Sequence, residues 1–391
     1  MRYRRFGKTE LQMPVISFGC MRSMHSWTDM TNNDIPPEST TTLETLLHTA
    51  LSHGINHFET ARGYGSSERQ LGQVLPRFQR NDYILQTKVG PSDDPEEFTA
   101  NFLDSLERLQ VDHVDLLAIH GINDHQSLWQ SCRKNGCLAA ARKLQRQGKA
   151  LHIGFSGHGP LDVILQAIEH DEDGGFDFIN LHWYYIYTIN QPAIQRAADR
   201  DMGVYIISPT DKGGMLYNPS ETLKALCQPL SPILFNDIYC LSQPGVSSLS
   251  VGASKLTDFD EHLKAQETTE RPQLVLDIIH RLEEKMAQET GYKRPEGSWD
   301  ELPHWKNCPG TINLRFIQWL DNLRRGWGLT EFAQTRYGML NNGSAWVQGN
   351  DASFIDKVDF EEIRAKYPAV SVDLLQQLQD AHPLLKKNTA E

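Results

Sequence analysis

The sequence predicts an α/β fold: a closed (β/α)8 TIM barrel followed by a mainly helical C-terminal subdomain. Three observations carry that prediction. From residue 15 to about 265, short β-branched runs alternate with stretches at helical spacing, the pattern of parallel strands joined by crossover helices. Eight such strand-like runs occur. No glycine-rich G-x-G-x-x-G turn follows an early strand, which argues against an open doubly wound sheet.

In chain order, VISFG (15–19) reads as the first strand, and Leu43, Leu46, Leu47, Ala50 and Leu51 then recur at helical spacing until Gly54 stops the helix. INHFE leads to a helix over 66–75, YILQTK to one over 95–109, and VDLLAIH to a longer helical region ending near Gly148. HIGFSG, FDFINLHW, VYIISP and SSLSVGA supply the last four strands. Helical patterns follow the first three and recur at 258–265.

Residues 1–270 therefore form the barrel. Beyond them the texture changes to long charged helices, and five of the eight tryptophans (Trp299, Trp305, Trp319, Trp327, Trp346) fall there, so 271–391 reads as a separate subdomain. The nearest thing to a linker is 292–305, with its Pro, Gly and charges.

Composition bounds the partners. Hydrophobic content of 39% and charged content of 23% are ordinary for a globular protein, and no apolar run approaches the roughly eighteen residues of a membrane span. A formal net charge of -12 argues against broad nucleic-acid binding. MRYRRFGKTELQMP lacks an apolar segment after its basic residues, so no secretory signal is read and a cytoplasmic address is expected. Cys20, Cys132, Cys137, Cys227, Cys240 and Cys308 show no C-x-x-C pair, which fits reduced thiols and no metal site.

In a parallel barrel, catalytic groups close the strands at their C-terminal ends. Four polar residues stand at such ends or in the loop just after: Glu59 ends and Tyr64 follows the second strand in HFETARGYGSSE, Lys88 ends the third in YILQTK and His120 the fourth in LLAIH. A tyrosine titrates near 10, so donating a proton at neutral pH is helped by a neighbouring cation; about three units correspond to roughly 4 kcal/mol. Lys88 is the natural cation, Glu59 keeps it charged and in place, and His120 can hydrogen-bond a carbonyl oxygen.

With these motifs the sequence resembles the aldo-keto reductases, whose second strand reads F-D-T-A-x-x-Y-G-x-S-E-x-x-L-G, with Lys and His on the next two. FETARGYGSSERQLG, QTKVG and AIHG match in order, and the likeness covers roughly residues 1–270. It departs at Glu59, where the family has Asp, one methylene or about 1.5 Å shorter.

The resemblance implies a nicotinamide cofactor along the rim, NADP by family default. Gly19 and Met21 follow the first strand on the cofactor side. Ser156 and Asn180 stand where the nicotinamide carboxamide is bound, unless they cap strand ends; Ile207 falls where an aromatic often stacks. Ser208 and Pro209 match the loop after the seventh strand, and Lys212 and Gly213 suit a pyrophosphate. Gly252, Ser254, Lys255, Asp258 and His262 lie at the adenosine end, with Ser254 and Lys255 toward a 2′-phosphate. Asp258 would repel that phosphate, which makes NAD the alternative; otherwise Asp258 and Asp260 are solvated acids at a helix start.

The tail segment NCPGTINL (307–314) resembles the C-P-x-G-I-x-I stretch of a ferredoxin-type iron–sulfur domain carried by one branch of these reductases. A cluster needs about four thiolates, and no cysteine follows Cys308, so 331–385 is expected to be a relic packed by aromatics.

The function expected is NAD(P)H-dependent reduction of an aldehyde or ketone, or the reverse oxidation, with Tyr64 as general acid. The competing expectation is a nicotinamide-binding sensor or partner subunit that uses the Trp-rich tail. The tail serves as a lid or as an oligomer interface. The loops MRSMHSWTDM and GINDHQSLW carry no carboxylate-selective arginine clamp.

Overall fold

A computed structural model describes residues 1–210, 215–268, 272–343 and 347–387. A short antiparallel hairpin, β1 (Tyr3–Arg5) and β2 (Gln12–Pro14), precedes eight parallel strands: β3 (Ile16–Gly19), β4 (His57–Glu59), β5 (Ile84–Val89), β6 (Val114–His120), β7 (Ala150–Gly157), β8 (Phe178–Leu181), β9 (Gly203–Ile207) and β10 (Val246–Gly252). They close in the order β10-β3-β4-β5-β6-β7-β8-β9, as expected. β10 pairs in parallel with both β3 and β9, which leaves no open edge among the eight.

Crossovers run through α1 (Pro37–Ser52), α2 (Ser67–Val74), α3 (Pro95–Leu109), α4 (His125–Cys132), α5 (Cys137–Arg146), α6 (Leu161–Glu169) and α7 (Gln191–Asp199). α8 (Glu221–Cys227), α9 (Pro232–Ser242) and α10 (Asp258–Thr268) follow. Local chemistry sets their ends. Pro95 starts α3 behind Asp94, whose carboxylate accepts from Glu96 N at 3.0 Å, and Gln110 in the left-handed region ends it. The long helical region read up to Gly148 is two helices, because Asn135 takes φ 56° and Gly136 lies where a Cβ would stand 2.7 Å from Gln130 O.

The N-terminal hairpin was not foreseen. Its Phe6 and Met13 share a buried cluster with Leu116, Ala118, Phe178, Tyr205 and Ile207, so the segment fills the barrel interior from below. Gly203 makes room: a Cβ there would lie 2.5 Å from the Phe6 ring.

The chain divides into two compact units. The first comprises Met1–Tyr185, Ile189–Gly214 and Ile233–Glu270; the second comprises Ile186–Thr188, Met215–Pro232 and Arg271–Glu391. Two segments inside the barrel's sequence thus belong to the second unit, which a single boundary at 270 does not capture.

Within the second unit, α11 (Pro272–Thr290), α12 (Leu314–Trp327), α13 (Thr330–Tyr337), α14 (Glu361–Lys366) and α15 (Val372–Leu385) pack around tryptophans. Trp319 Nε1 donates to Ile186 O at 2.8 Å and Trp327 Nε1 to Leu282 O at 3.0 Å, so each buried indole satisfies its polar edge. Ser220, the cap of α8, donates to Trp327 O at 2.6 Å, which ties the 215–232 segment to α12. Trp346 lies outside the described residues. Trp327→Ala is expected to cost about 3–5 kcal/mol in urea unfolding followed by tryptophan fluorescence.

Candidate active site

Side chains alternate along a strand, so residues two apart share a face. That parity puts His57 and Glu59 of β4, and Gln86 and Lys88 of β5, on the barrel-interior side, with Glu59 and Lys88 nearer the C-terminal end. Lys88, 1% exposed, is ion-paired with Glu59, 3% exposed, and its ammonium also donates to Thr60 O at 2.9 Å. Burial depresses the Lys88 ammonium, and the adjoining carboxylate opposes that. His57, pushed down to about 3 by burial and by Lys88, stays neutral beneath the pair.

Tyr64 reaches the pair because the chain continues the β4–β5 ladder past Glu59, with Thr60 N to Gln86 O and Arg62 N to Lys88 O both at 2.9 Å, and then turns. Lys88 Nζ lies 4.6 Å from the Tyr64 ring centre. Burial raises the phenol's pKa. His120, at the end of β6, meets Tyr64 edge-on with ring centres 5.7 Å apart. All four residues singled out in the sequence come together.

Trp27 is a contact the sequence did not single out. It is 64% exposed and stands edge-on to Tyr64 at 6.2 Å. Gly65 permits it, since a Cβ there would fall 2.0 Å from Ser26 O, and Ser66 Oγ accepts from His25 N and Ser26 N at 3.1 and 3.0 Å. The visible signal was a lone tryptophan in the loop after the first barrel strand. Beside His120 opens a polar cleft of about 640 Å³ whose lining includes Arg62, Asp93, Asp94, Glu97 and Asn101. Arg62 is bound to Asp104, so this cleft has no uncommitted arginine for a carboxylate.

The residues expected to hold a cofactor divide. Asn180 is fully buried, and neither its Oδ1 nor its Nδ2 finds a partner among the described residues. A buried primary amide with both ends unsatisfied is what a ligand carboxamide would complete. Ser156 neighbours it in register and accepts from Gly121 N at 3.0 Å, so it also acts as a strand-end cap. Ile207 closes β9 inside the barrel cluster. Ser208 adopts φ 58°, and Pro209 O accepts from Asn236 Nδ2 at 2.7 Å. Asn236 also accepts from Tyr185 N at 3.0 Å, which stitches the loops after β8 and β9; sequence reasoning missed it. Lys212 and Gly213 lie outside the described residues.

Two residues at the β10 end are placed differently from expectation. His262 is fully buried and paired with Asp237. Asp258 is 2% exposed and not solvated: it accepts from Ser254 N at 2.9 Å, Ser254 Oγ at 3.2 Å, Lys255 N at 3.4 Å and Arg22 Nη1 at 3.3 Å. Burial became affordable because these donors converge on one carboxylate oxygen. Asp260 is exposed, as a helix-start acid should be. Arg22, also missed, donates to Gly252 O at 2.7 Å from the turn that holds half-buried Met21. Gly19 is a packing glycine, since a Cβ there would lie 2.5 Å from Ser250 Oγ and 3.2 Å from Glu59 Oε2.

Among the described residues no cluster of three or more His, Cys, Asp or Glu side chains could hold a metal, and no helix is long and apolar enough to cross a membrane.

Known proteins share the sequence pattern and the fold of this chain. The chain is 27% identical to L-galactose dehydrogenase of Arabidopsis thaliana over 71% of its own length and 95% of the relative. It is 22% identical to a probable voltage-gated potassium channel subunit beta of the same plant, over 76% of this chain and 99% of the relative. Among solved structures, the holo form of an aldo-keto reductase from Bacillus halodurans shares the fold with a TM-score of 0.58 at 22% identity, covering 71% of this chain and 96% of that one. The model of the Aldo/keto reductase family matches residues 15–283, more than half of the chain. The chain belongs to the aldo/keto reductase family and is an oxidoreductase.

Proposed function

We propose that the chain is an NAD(P)H-dependent carbonyl reductase, with the reverse alcohol oxidation at the same groups. The observation that carries this reading is the buried Glu59–Lys88 pair whose ammonium lies 4.6 Å from the Tyr64 ring centre. Bound with its carboxamide on Ser156 and Asn180, a nicotinamide cofactor would supply the hydride. Tyr64 gives its phenolic proton to the substrate's carbonyl oxygen, and Lys88 stabilises the phenolate left behind. Glu59 holds Lys88 charged, and His120 orients the carbonyl by a hydrogen bond. Trp27 offers an apolar face beside the reacting carbonyl.

The cleft next to His120 carries more acids than bases and favours a neutral, hydroxyl-bearing substrate over an anionic one. A sugar aldehyde or lactol is therefore the first class to try, in keeping with the name of the galactose dehydrogenase relative. The deciding experiment is fluorescence titration with NADH and NADPH, followed by turnover on a panel of sugars and simple carbonyls. Failure to bind either dinucleotide would overturn the reading.

NADP is the family default, and NAD is favoured by the commitment of Ser254 and Lys255 backbone N–H groups to Asp258. Asp258→Asn is expected to tighten NADPH relative to NADH by about tenfold, the equivalent of about 1.4 kcal/mol of relieved repulsion. The ratio of the two dissociation constants checks this.

The likeness to a channel β subunit supports a second reading, a nicotinamide-binding sensor that docks a partner through residues 271–391. Rapid multiple turnover on any carbonyl would decide against it. A cytoplasmic location, self-association through the same residues and descent of 331–385 from an iron–sulfur domain belong to the proposal as well. Stoichiometric iron and sulfide in the purified protein would overturn the cluster-free relic.

A further inference from the structure

Glu59 has two carboxylate oxygens, and each has its own task. Oε1 takes Lys88, while Oε2 accepts from Ser250 Oγ at 3.1 Å. Ser250 belongs to β10 and Glu59 to β4, with β3 between them. Alternate strands stand about 9.5 Å apart, too far for a direct hydrogen bond unless the intervening strand leaves a gap. Gly19 of β3 is that gap: a Cβ at this position would crowd both Ser250 Oγ and Glu59 Oε2.

Side-chain length completes the fit. An aspartate at 59 would withdraw the carboxylate by about 1.5 Å and open the 3.1 Å contact beyond hydrogen-bonding range. A glutamate also has one more rotatable bond than an aspartate, so inside the barrel it needs a second anchor to hold one orientation. Ser248, on the same strand and with the same parity, spends its hydroxyl on Pro14 O at 2.6 Å.

Resting on the reductase reading above, we propose that Ser250 is a positioning residue of the active site: through the space left by Gly19 it locks the glutamate carboxylate and thereby holds Lys88 under Tyr64. Glu59, Gly19 and Ser250 act as one device in which the longer acid is matched by a donor across the barrel. Without the serine, the carboxylate swings, Lys88 loses a fixed counter-charge, and the Tyr64 phenolate is less stabilised.

The test is a cycle of Ser250→Ala, Glu59→Asp and the double variant in the full chain, with Tyr64→Phe alongside. Measured are kcat and KM for carbonyl reduction, the pH dependence of alcohol oxidation, and NADH and NADPH dissociation constants. Ser250→Ala is expected to lower kcat about tenfold, from a lost hydrogen bond to a charged group, with cofactor affinity unchanged. Oxidation, which needs the phenolate, is expected to shift to higher pH. In the Glu59→Asp background the serine change should add nothing, because the shorter acid no longer reaches it.

Losses that multiply in the double variant, a wild-type pH profile for Ser250→Ala, or an effect confined to cofactor binding would overturn the proposal. Should the alanine variant not fold, Ser250→Cys keeps the size, weakens the donor, and should give an intermediate shift; no shift in that variant overturns the proposal equally. Full activity in Tyr64→Phe would sink the reductase reading itself. An inactive Tyr64→Phe beside an unaffected Ser250→Ala would remove only the serine's role.

Discussion

Tyr64→Phe is expected to lower kcat for carbonyl reduction by about 10²–10⁴-fold, the usual contribution of a positioned proton donor. The substitution deletes one oxygen and keeps the ring that meets Lys88, His120 and Trp27. Cofactor dissociation constants and thermal stability should therefore stay near those of the wild type, so that the loss falls on chemistry. Stopped-flow single turnover separates the two. The pH dependence follows from the site: burial raises the Tyr64 phenol above its ordinary value, so the acid form persists through the neutral range. Reduction should accordingly be flat at neutral pH, whereas oxidation, which needs the phenolate, should climb as pH rises.

Lys88→Met is expected to damage both activity and stability. Removing the ammonium leaves the Glu59 carboxylate buried with only the Ser250 hydroxyl of its two named partners, and breaking a buried pair from one side costs about 3–5 kcal/mol. Urea unfolding reads that cost. On the kinetic side, the phenolate loses a cation that sits 4.6 Å from its ring centre, so Tyr64 ionises at still higher pH and the oxidation profile moves up with it. A Lys88→Met variant with wild-type stability and an unmoved profile would contradict this arrangement.

The four candidate residues were readable in the sequence because each closes a strand or lies in the loop after it, and in a closed parallel barrel that position delivers a side chain to one rim. Glu59, Lys88 and His120 needed nothing more than strand parity and end position. The residues expected at a cofactor were less legible. Asp258 and His262 sit at helical positions where sequence cannot distinguish a solvated acid or a ligand from a buried partner, and packing turned one onto the Ser254 loop and the other onto Asp237. Trp27 lies in a loop whose course depends on the Ser66 and Gln70 side chains that accept from His25 N and Ser26 N, and Asn236 of α9 acts by holding the loop at Pro209.

The sequence by itself determined the alternation of strands and helices, the count of eight, and the chemical identity of the acid, cation and imidazole at the strand ends. These depend on periodicity and on short-range parity, which a linear reading contains. Only the tertiary structure decided that the N-terminal hairpin fills the barrel from below, that 186–188 and 215–232 join the second unit, and that Glu59 is anchored by Ser250. That anchor joins residues separated by 191 positions, and it exists because ring closure brings β10 beside β3 and Gly19 leaves the line between them open.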